Sequence, residues 1–234
     1  MESDEDVTFH TLVTAFTDFL TVAIHTILYE RAIYPQTSFL TARKYGYPVR
    51  QNRHPRVCQW VQDAVVAIES ELLRSSVDRI ALVILSPLQS PLERFVFEVA
   101  RFPAIKPGET QIPLHRGELS AQSSLIDLQE QFRGAMSKLA TCGGQLKALP
   151  KSCSFTIAIE IKNFREPPIE NSQRFIPVQL KSKSSYGLSS SNPKEDRTGK
   201  LKAIPVCTVE ISDLHLEMWI EAIEAKESGE LASS

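Results

Sequence analysis

Residues 16–48 read FTDFLTVAIHTILYERAIYPQTSFLTARKYGYP, a strongly apolar helix that breaks at Tyr34-Pro35 into a short basic and aromatic connector. Phe16, Phe19, Leu20, Ala23, Ile24, Ile27 and Leu28 recur at helical spacing, and Val13, Val22 and Ile33 widen the apolar surface until little of the cylinder is left for water. Such a helix belongs at the centre of a domain. Thr8 is a suitable N-cap, and the helix is expected to run to about Ile33, where Tyr34-Pro35 stops it by removing a backbone donor and restricting the preceding residue. Gln36 to Arg53 then reads as a connector without a core element of its own.

Outward from this run, the chain divides by period. After His54-Pro55, Val57, Trp60, Val61, Ala64, Val65, Ile68 and Leu72 form a second helical stripe ending near Arg74. Arg79 to Leu85 (RIALVIL) is a β-branched run typical of a strand buried on both faces, and Leu92 to Ala100 alternates, so Pro87 to Pro91 makes a hairpin. Leu125, Leu128, Phe132, Met136 and Leu139 mark a third helix from Leu119 to Leu149, which Gly143-Gly144 bends or ends. Ser154 to Lys162 (SFTIAIEIK) is an alternating strand. From Asn163 to Lys202 prolines, serines and scattered charge take over, with residues 182–200 close to low complexity. Order returns in Ala203 to Val209 and Leu214 to Ile223.

At 234 residues the chain can bury a core without disulfide or metal support. With 26 Lys plus Arg against 28 Asp plus Glu, it has no global basic field for a phosphate backbone, so direct nucleic-acid binding is not expected. Cys58, Cys142, Cys153 and Cys207 form no CxxC pair and read as free thiols of a reducing compartment. The acidic start MESDEDVTFH does not resemble a signal peptide, and Asp18 and His25 interrupt the longest apolar helix, so neither secretion nor membrane insertion is supported.

No constellation of catalytic residues is legible. Glycine-rich phosphate loops, HExxH and HxH are missing, and the five histidines stand apart. His25 reads as a core histidine satisfied by a hydrogen bond. His54 and Cys58, four apart on one helical face, are physically reachable but lack an orienting third group and an oxyanion donor. The Arg43-Lys44 and Lys181-Ser182-Lys183 runs read as solvated faces. The chain is not expected to be an enzyme, and no cofactor or metal is expected.

FLTVAIHTILYERAIYP, a basic linker, KYGYPV and RHPRVCQWVQD, followed by VILSPLQSPLERFVFEV, Cys153-Ser154-Phe155-Thr156 and Ile204-Pro205-Val206, resemble the HORMA-domain family, and within it the reversionless-type (mitotic-arrest-deficient-like) accessory subunits of DNA polymerase zeta. The resemblance covers most of residues 9–225 and is poorest over 164–202. It implies an α+β fold, a HORMA domain of three helices packed on a mainly antiparallel sheet with a mobile C-terminal safety-belt region. The division expected is an acidic tail over 1–7, a HORMA core over 8–163, a belt region over 164–225 containing a flexible loop at 182–200, and a tail over 226–234.

The function implied is a nuclear, non-catalytic adaptor in DNA damage bypass. It would clamp a proline-containing peptide of the polymerase catalytic subunit as an added strand and dock the C-terminal domain of the translesion scaffold deoxycytidyl transferase. A HORMA homo- or heterodimer and remodelling by an AAA+ ATPase are also implied. The resemblance places Trp60, Phe175 and Ile204 at the peptide, Ala203, Glu217 and Trp219 at the scaffold protein, and Arg133 at a dimer contact. Plain core packing remains the other reading of Trp60, a structural sheet-edge tryptophan that of Trp219, and an unremarkable surface arginine that of Arg133. Ala203 and Glu217 depart from the family's leucine and glutamine, whereas Trp219 keeps an aromatic on the expected solvent face. A spindle-checkpoint clamp for a cell-division-cycle activator is the rival within the family.

Overall fold

The computed structural model describes residues 7–106, 108–113, 121–162, 200–211 and 214–224. The expected tails, most of the belt region and Phe175 lie outside the described residues.

Helix α1 (Phe9–Glu30) begins at a reciprocal cap: Thr8 Oγ1 accepts from Thr11 N at 3.1 Å, and Thr8 N donates to Thr11 Oγ1 at 2.9 Å. It ends at Glu30, earlier than Ile33, because Ala32 adopts a left-handed conformation (φ 50°). Ala32 N then bonds Tyr29 O at 3.0 Å and Ile33 N bonds Leu28 O at 3.1 Å, the paired bonds of a Schellman motif. The helix stops at its own C-cap before Pro35 can act. Its length and hydropathy would allow it to cross a membrane, but Phe16, Phe19, Leu20, Ala23, Ile24, Ile27 and Leu28 all lie in the core.

The expected connector after α1 holds a short ribbon. A 3-10 turn at Gln36–Ser38 leads into β1 (Phe39–Lys44) and β2 (Tyr47–Asn52), paired antiparallel with Lys44 opposite Tyr47. Tyr45 (φ 54°) and Gly46 (φ 65°) make the two-residue turn, whose positive φ pair matches the twist of a tight hairpin. Phe39 and Val49 point into the core, while the Tyr45 ring sits 5.5 Å from that of Phe132 and 6.5 Å from that of Phe19. The ribbon is thereby anchored to α1 and α3.

Helix α2 (Pro55–Leu73) has proline in its first turn and His54 as N-cap, its Nδ1 accepting from Arg56 N at 3.2 Å. Helix α3 (Ala121–Cys142) buries Leu128, Phe132, Ala135, Met136 and Leu139 and stops at a 3-10 turn over Gly143–Gln145. Phe132 stacks on Phe19 at 4.4 Å between centroids.

Strands β3 (Val77–Leu85), β4 (Pro91–Glu98), β5 (Ser154–Ile161), β6 (Lys200–Ile211) and β7 (Leu214–Glu224) form one antiparallel sheet in the order β5-β3-β4-β7-β6. Strand β3 is buried on both faces, as its run of β-branched residues predicts: Ile80, Leu82 and Ile84 join the main core, and Ala81 and Val83 pack on the other face with Val96. A buried ion pair joins α1 to the sheet. Arg31 Nε donates to Glu93 Oε2 at 2.8 Å, and its Nη2 donates to Glu93 Oε1 and to Lys147 O, both at 2.6 Å. Burial pushes the Glu93 carboxyl up and Arg31 opposes that shift, so the guanidinium makes an otherwise costly carboxylate tolerable.

His25 departs from expectation. It is buried in α1, yet its Nδ1 has no hydrogen-bond partner, and burial lowers its pKa and keeps the ring neutral. A helical backbone already consumes the nearest carbonyls, and the surrounding side chains are apolar.

Candidate functional site

The sheet ends in two edges of different character. At one, the α3 side chain Gln131 closes the outer backbone of β6: its Nε2 donates to Glu210 O at 2.8 Å and its Oε1 accepts from Glu210 N at 2.9 Å. One amide thus satisfies both edge groups of that residue, as a neighbouring strand would. At the other end, β5 pairs only with β3 among the described residues. Half of its backbone donors and acceptors therefore point away from the sheet.

The side chains along β5 match this incompleteness. Phe155, Ile157 and Ile159 face the core but stay only partly covered, whereas their β3 neighbours Ile80, Leu82 and Ile84 are fully buried. Trp60, on α2, is 42% exposed and meets Phe155 edge-on at 4.9 Å between centroids. Tyr34, just past α1, meets the same phenylalanine edge-on at 6.2 Å. The three rings border the start of an eight-residue edge strand. Together they offer main-chain hydrogen bonds beside an apolar, proline-compatible surface.

Of the residues singled out for a peptide, Trp60 is at this edge. Ile204 is not brought to it: it lies in the core on β6, at the opposite end of the sheet, opposite Ile220. Phe155 and Tyr34 were missed, because Phe155 meets Trp60 and Tyr34 only through contacts between residues far apart in the chain, which no local pattern carries.

Ala203, Glu217 and Trp219 do come together, on the sheet face away from the helices. Trp219 pairs with Val96 on one side and Pro205 on the other, with Ala203 opposite Glu221 one row away and Glu217 opposite Thr208 in the next. The expected solvent-facing tryptophan is half-buried instead. It packs with Ala81, Val83 and Val96, its Nε1 donates to Glu221 Oε1 at 3.0 Å, and the Arg79 guanidinium lies 5.7 Å from its ring. Small residues on β3 and β4 leave room for the indole to lie down on the sheet. Around it run the Arg79–Glu98, Arg79–Glu160, Arg94–Glu160 and Arg94–Glu221 ion pairs.

Arg133 is exposed on α3, on a different side from the buried Phe132 and Met136, and pairs with Glu130 one turn earlier. His54 and Cys58 are engaged apart from each other, the imidazole as a helix cap and the thiol donating to Asn52 O at 3.0 Å. Among the described residues no His, Cys, Asp or Glu cluster has the makings of a metal site.

Comparison with known proteins agrees with this architecture. The HORMA domain pattern matches residues 13–168. The DNA polymerase zeta processivity subunit of Schizosaccharomyces pombe is 30% identical over 94% of this chain and 97% of its own length. The mitotic spindle assembly checkpoint protein MAD2B of Danio rerio is 26% identical over 90% of each chain. A chain in the crystal structure of the mitotic checkpoint complex superposes with TM-score 0.65 at 16% identity, covering 92% of this chain and 99% of that one. Caenorhabditis elegans HTP-2, solved bound to a HIM-3 closure motif, gives TM-score 0.55 at 14% identity over 88% of each. At such identities the solved structures speak to fold alone, while the sequence matches extend along nearly the whole chain. The β5 edge, open among the described residues, the three-helix layer and the HORMA match over residues 13–168 lead to one conclusion: the chain belongs to the HORMA domain family and is a non-catalytic adaptor.

Proposed function

We propose that this protein is the HORMA adaptor subunit of a translesion DNA polymerase of the zeta type, acting in the nucleus to hold the catalytic subunit by a short proline-containing segment. The observation that carries the reading is the β5 edge, unpaired among the described residues and flanked by Trp60, Phe155 and Tyr34. An extended segment laid along β5 completes the sheet, its backbone bonding to the edge and its apolar or proline side chains covering Phe155 and Ile157. Family membership implies that a safety belt then closes over it. The polymerase assignment is supported by the relative from Schizosaccharomyces pombe, whose match extends over nearly all of both chains.

The face around Trp219 gives the adaptor its second contact, with the C-terminal domain of the translesion scaffold transferase. A flat indole ringed by Arg79, Arg94, Glu98 and Glu221 offers an apolar centre and a charged rim. Arg133 stands ready for a contact between HORMA domains, and an AAA+ ATPase would reopen the belt.

The test is co-purification of the full chain with the central region of the polymerase catalytic subunit, set against a cell-division-cycle activator peptide. The reading predicts capture of the polymerase segment and its loss in Trp60→Ala; capture of the activator peptide alone assigns the protein to the spindle checkpoint instead.

A further inference from the structure

Positive charge is concentrated in two stretches of this chain. Between Arg31 and Gln62 the sequence carries Arg31, Arg43, Lys44, Arg50, Arg53 and Arg56 and no Asp or Glu, and between Gln131 and Ile159 it carries Arg133, Lys138, Lys147 and Lys151, again with no acid. A net charge of -2 for the whole chain makes these two stretches depart sharply from the average. Arg133, paired with Glu130, and Lys138, close to Cys207 of β6, stay on α3 at the far side of the sheet, but the end of each stretch leads to the start of β5. Helix α2 runs alongside β5 in the same direction, since Trp60 near its start meets Phe155 at the start of β5, while beyond its end Ser76 O accepts from Lys162 N at 2.9 Å just past β5.

Arg56 lies four residues before Trp60 on α2 and therefore on the same helical face, and Arg53 precedes the cap of that helix. Lys151 lies three residues before β5. All three are exposed, and none forms an ion pair among the described residues. Other cations nearby are already engaged: Arg31 by Glu93, Lys44 by Asp18 at 2.9 Å, and Arg50 by Thr41 and the Tyr29 ring. The acids near this end are already engaged: Glu93 is held by Arg31, Glu30 has the Arg50 charge close by, and Asp63, more than two turns past the cap of α2, accepts from Gln59, while Glu160, near the end of β5, bonds Arg79 and Arg94.

We infer that the segment held along β5 carries aspartate or glutamate residues on the side that lies beside Phe155 and Trp60, where Arg53, Arg56 and Lys151 receive them. The inference rests on the reading of β5 as a peptide-binding edge and adds the charge of the occupant. A polypeptide fits better than a nucleic acid strand because the unpaired edge supplies main-chain donors and acceptors at strand spacing, which a sugar-phosphate backbone does not match. Charge complementarity of this kind speeds encounter and fixes the register of the bound segment.

The test is selection of random segments, each long enough to span β5, displayed on yeast against the full-length wild-type chain and against the double variant Arg56→Glu, Lys151→Glu. Circular dichroism and thermal melts confirm the fold, and Arg56→Gln, Lys151→Gln serves as the neutral control. Wild type is expected to enrich segments with proline and aliphatic residues followed or preceded, on one side only, by Asp or Glu. For one such segment, affinity should fall about tenfold in the charge-reversed variant and less in the neutral one, with the loss shrinking in high salt. A wild-type consensus that is neutral or basic at that flank, an unchanged consensus in the charge-reversed variant, or displacement of the segment by single-stranded oligonucleotide would overturn the inference. Should no segment be enriched, or should Trp60→Ala select the same segments as wild type, it is the peptide-binding reading itself that fails.

Discussion

The two edges of the sheet solve the same physical problem in opposite ways. At β6, an edge that would otherwise expose Glu210 N–H and C=O is closed from within by the amide of Gln131, so the sheet ends there as it would against another strand. At β5, no described residue takes that place, the inward side chains stay half-covered, and an exposed tryptophan stands beside them. A long, apolar, unguarded edge is an aggregation hazard in a monomer unless something is meant to cover it. Among the described residues, then, one edge is closed at Glu210 by a side chain of the same chain and the other is open along β5, as the proposed capture of a peptide requires.

The contrast can be broken most severely from its middle. Arg31 holds β4, and through it both edges, to α1. Arg31→Ala leaves the Glu93 carboxylate buried without its cation and should cost about 3–5 kcal/mol of stability in urea titration. The variant should lose both edges in one cooperative transition, whereas a shift in the β5 side alone would show that the edges unfold separately.

At β5, Trp60→Ala should weaken capture of a bound segment about thirtyfold, the scale of an interface hot spot, while moving the melting temperature little because the indole is 42% exposed in the free chain. A large loss of stability with unchanged capture would return Trp60 to core packing. At β6, Gln131→Ala frees only one residue's backbone groups near solvent and should cost about 0.5–1.5 kcal/mol. Its sharper sign is faster amide exchange at Glu210 and self-association through the opened edge; neither change would mean that α3 shields β6 without that amide.

How far these edges were legible in sequence depends on the range of the contacts. The periods of α1, α2, β3, β4, β5 and β7 show most of the residues that enter the core, Trp60 in the α2 stripe being the exception at 42% exposed, and Leu216, Met218 and Ile220 are buried as their alternation predicts. The β1–β2 ribbon was hidden because its strands have no clean alternation, although Tyr45-Gly46 between two short runs was a usable turn signal. Trp60 stood out only through resemblance. Its partner Phe155, the Tyr34 ring that meets Phe155, the recumbent Trp219 and the Gln131 clamp follow from which elements meet, and composition carries no record of that. The orphaned Nδ1 of His25 likewise appears only when the packed neighbours are known.

The smallest expected effect concerns the start of β7, beside the closed edge. His215 Nε2 lies 2.8 Å from Glu217 Oε1, and this bond holds the Glu217 carboxyl below the ordinary carboxylate range, aided by Arg101. A depressed folded-state pKa contributes stability that is present above the unfolded pKa and lost as pH falls through the folded one. Exchange at the start of β7 should therefore quicken slightly as pH falls from about 5 to about 3, more than in Glu217→Gln. Equal acid sensitivity in the variant would remove Glu217 from the account.

The central claim, that β5 is the edge left for a partner, is tested most directly by hydrogen exchange of the full chain with and without a captured segment. New protection is expected in Ser154–Ile161 and around Trp60, with β6 unchanged. Protection that gathers on β6 or around Trp219, with β5 exchanging as before, would contradict it.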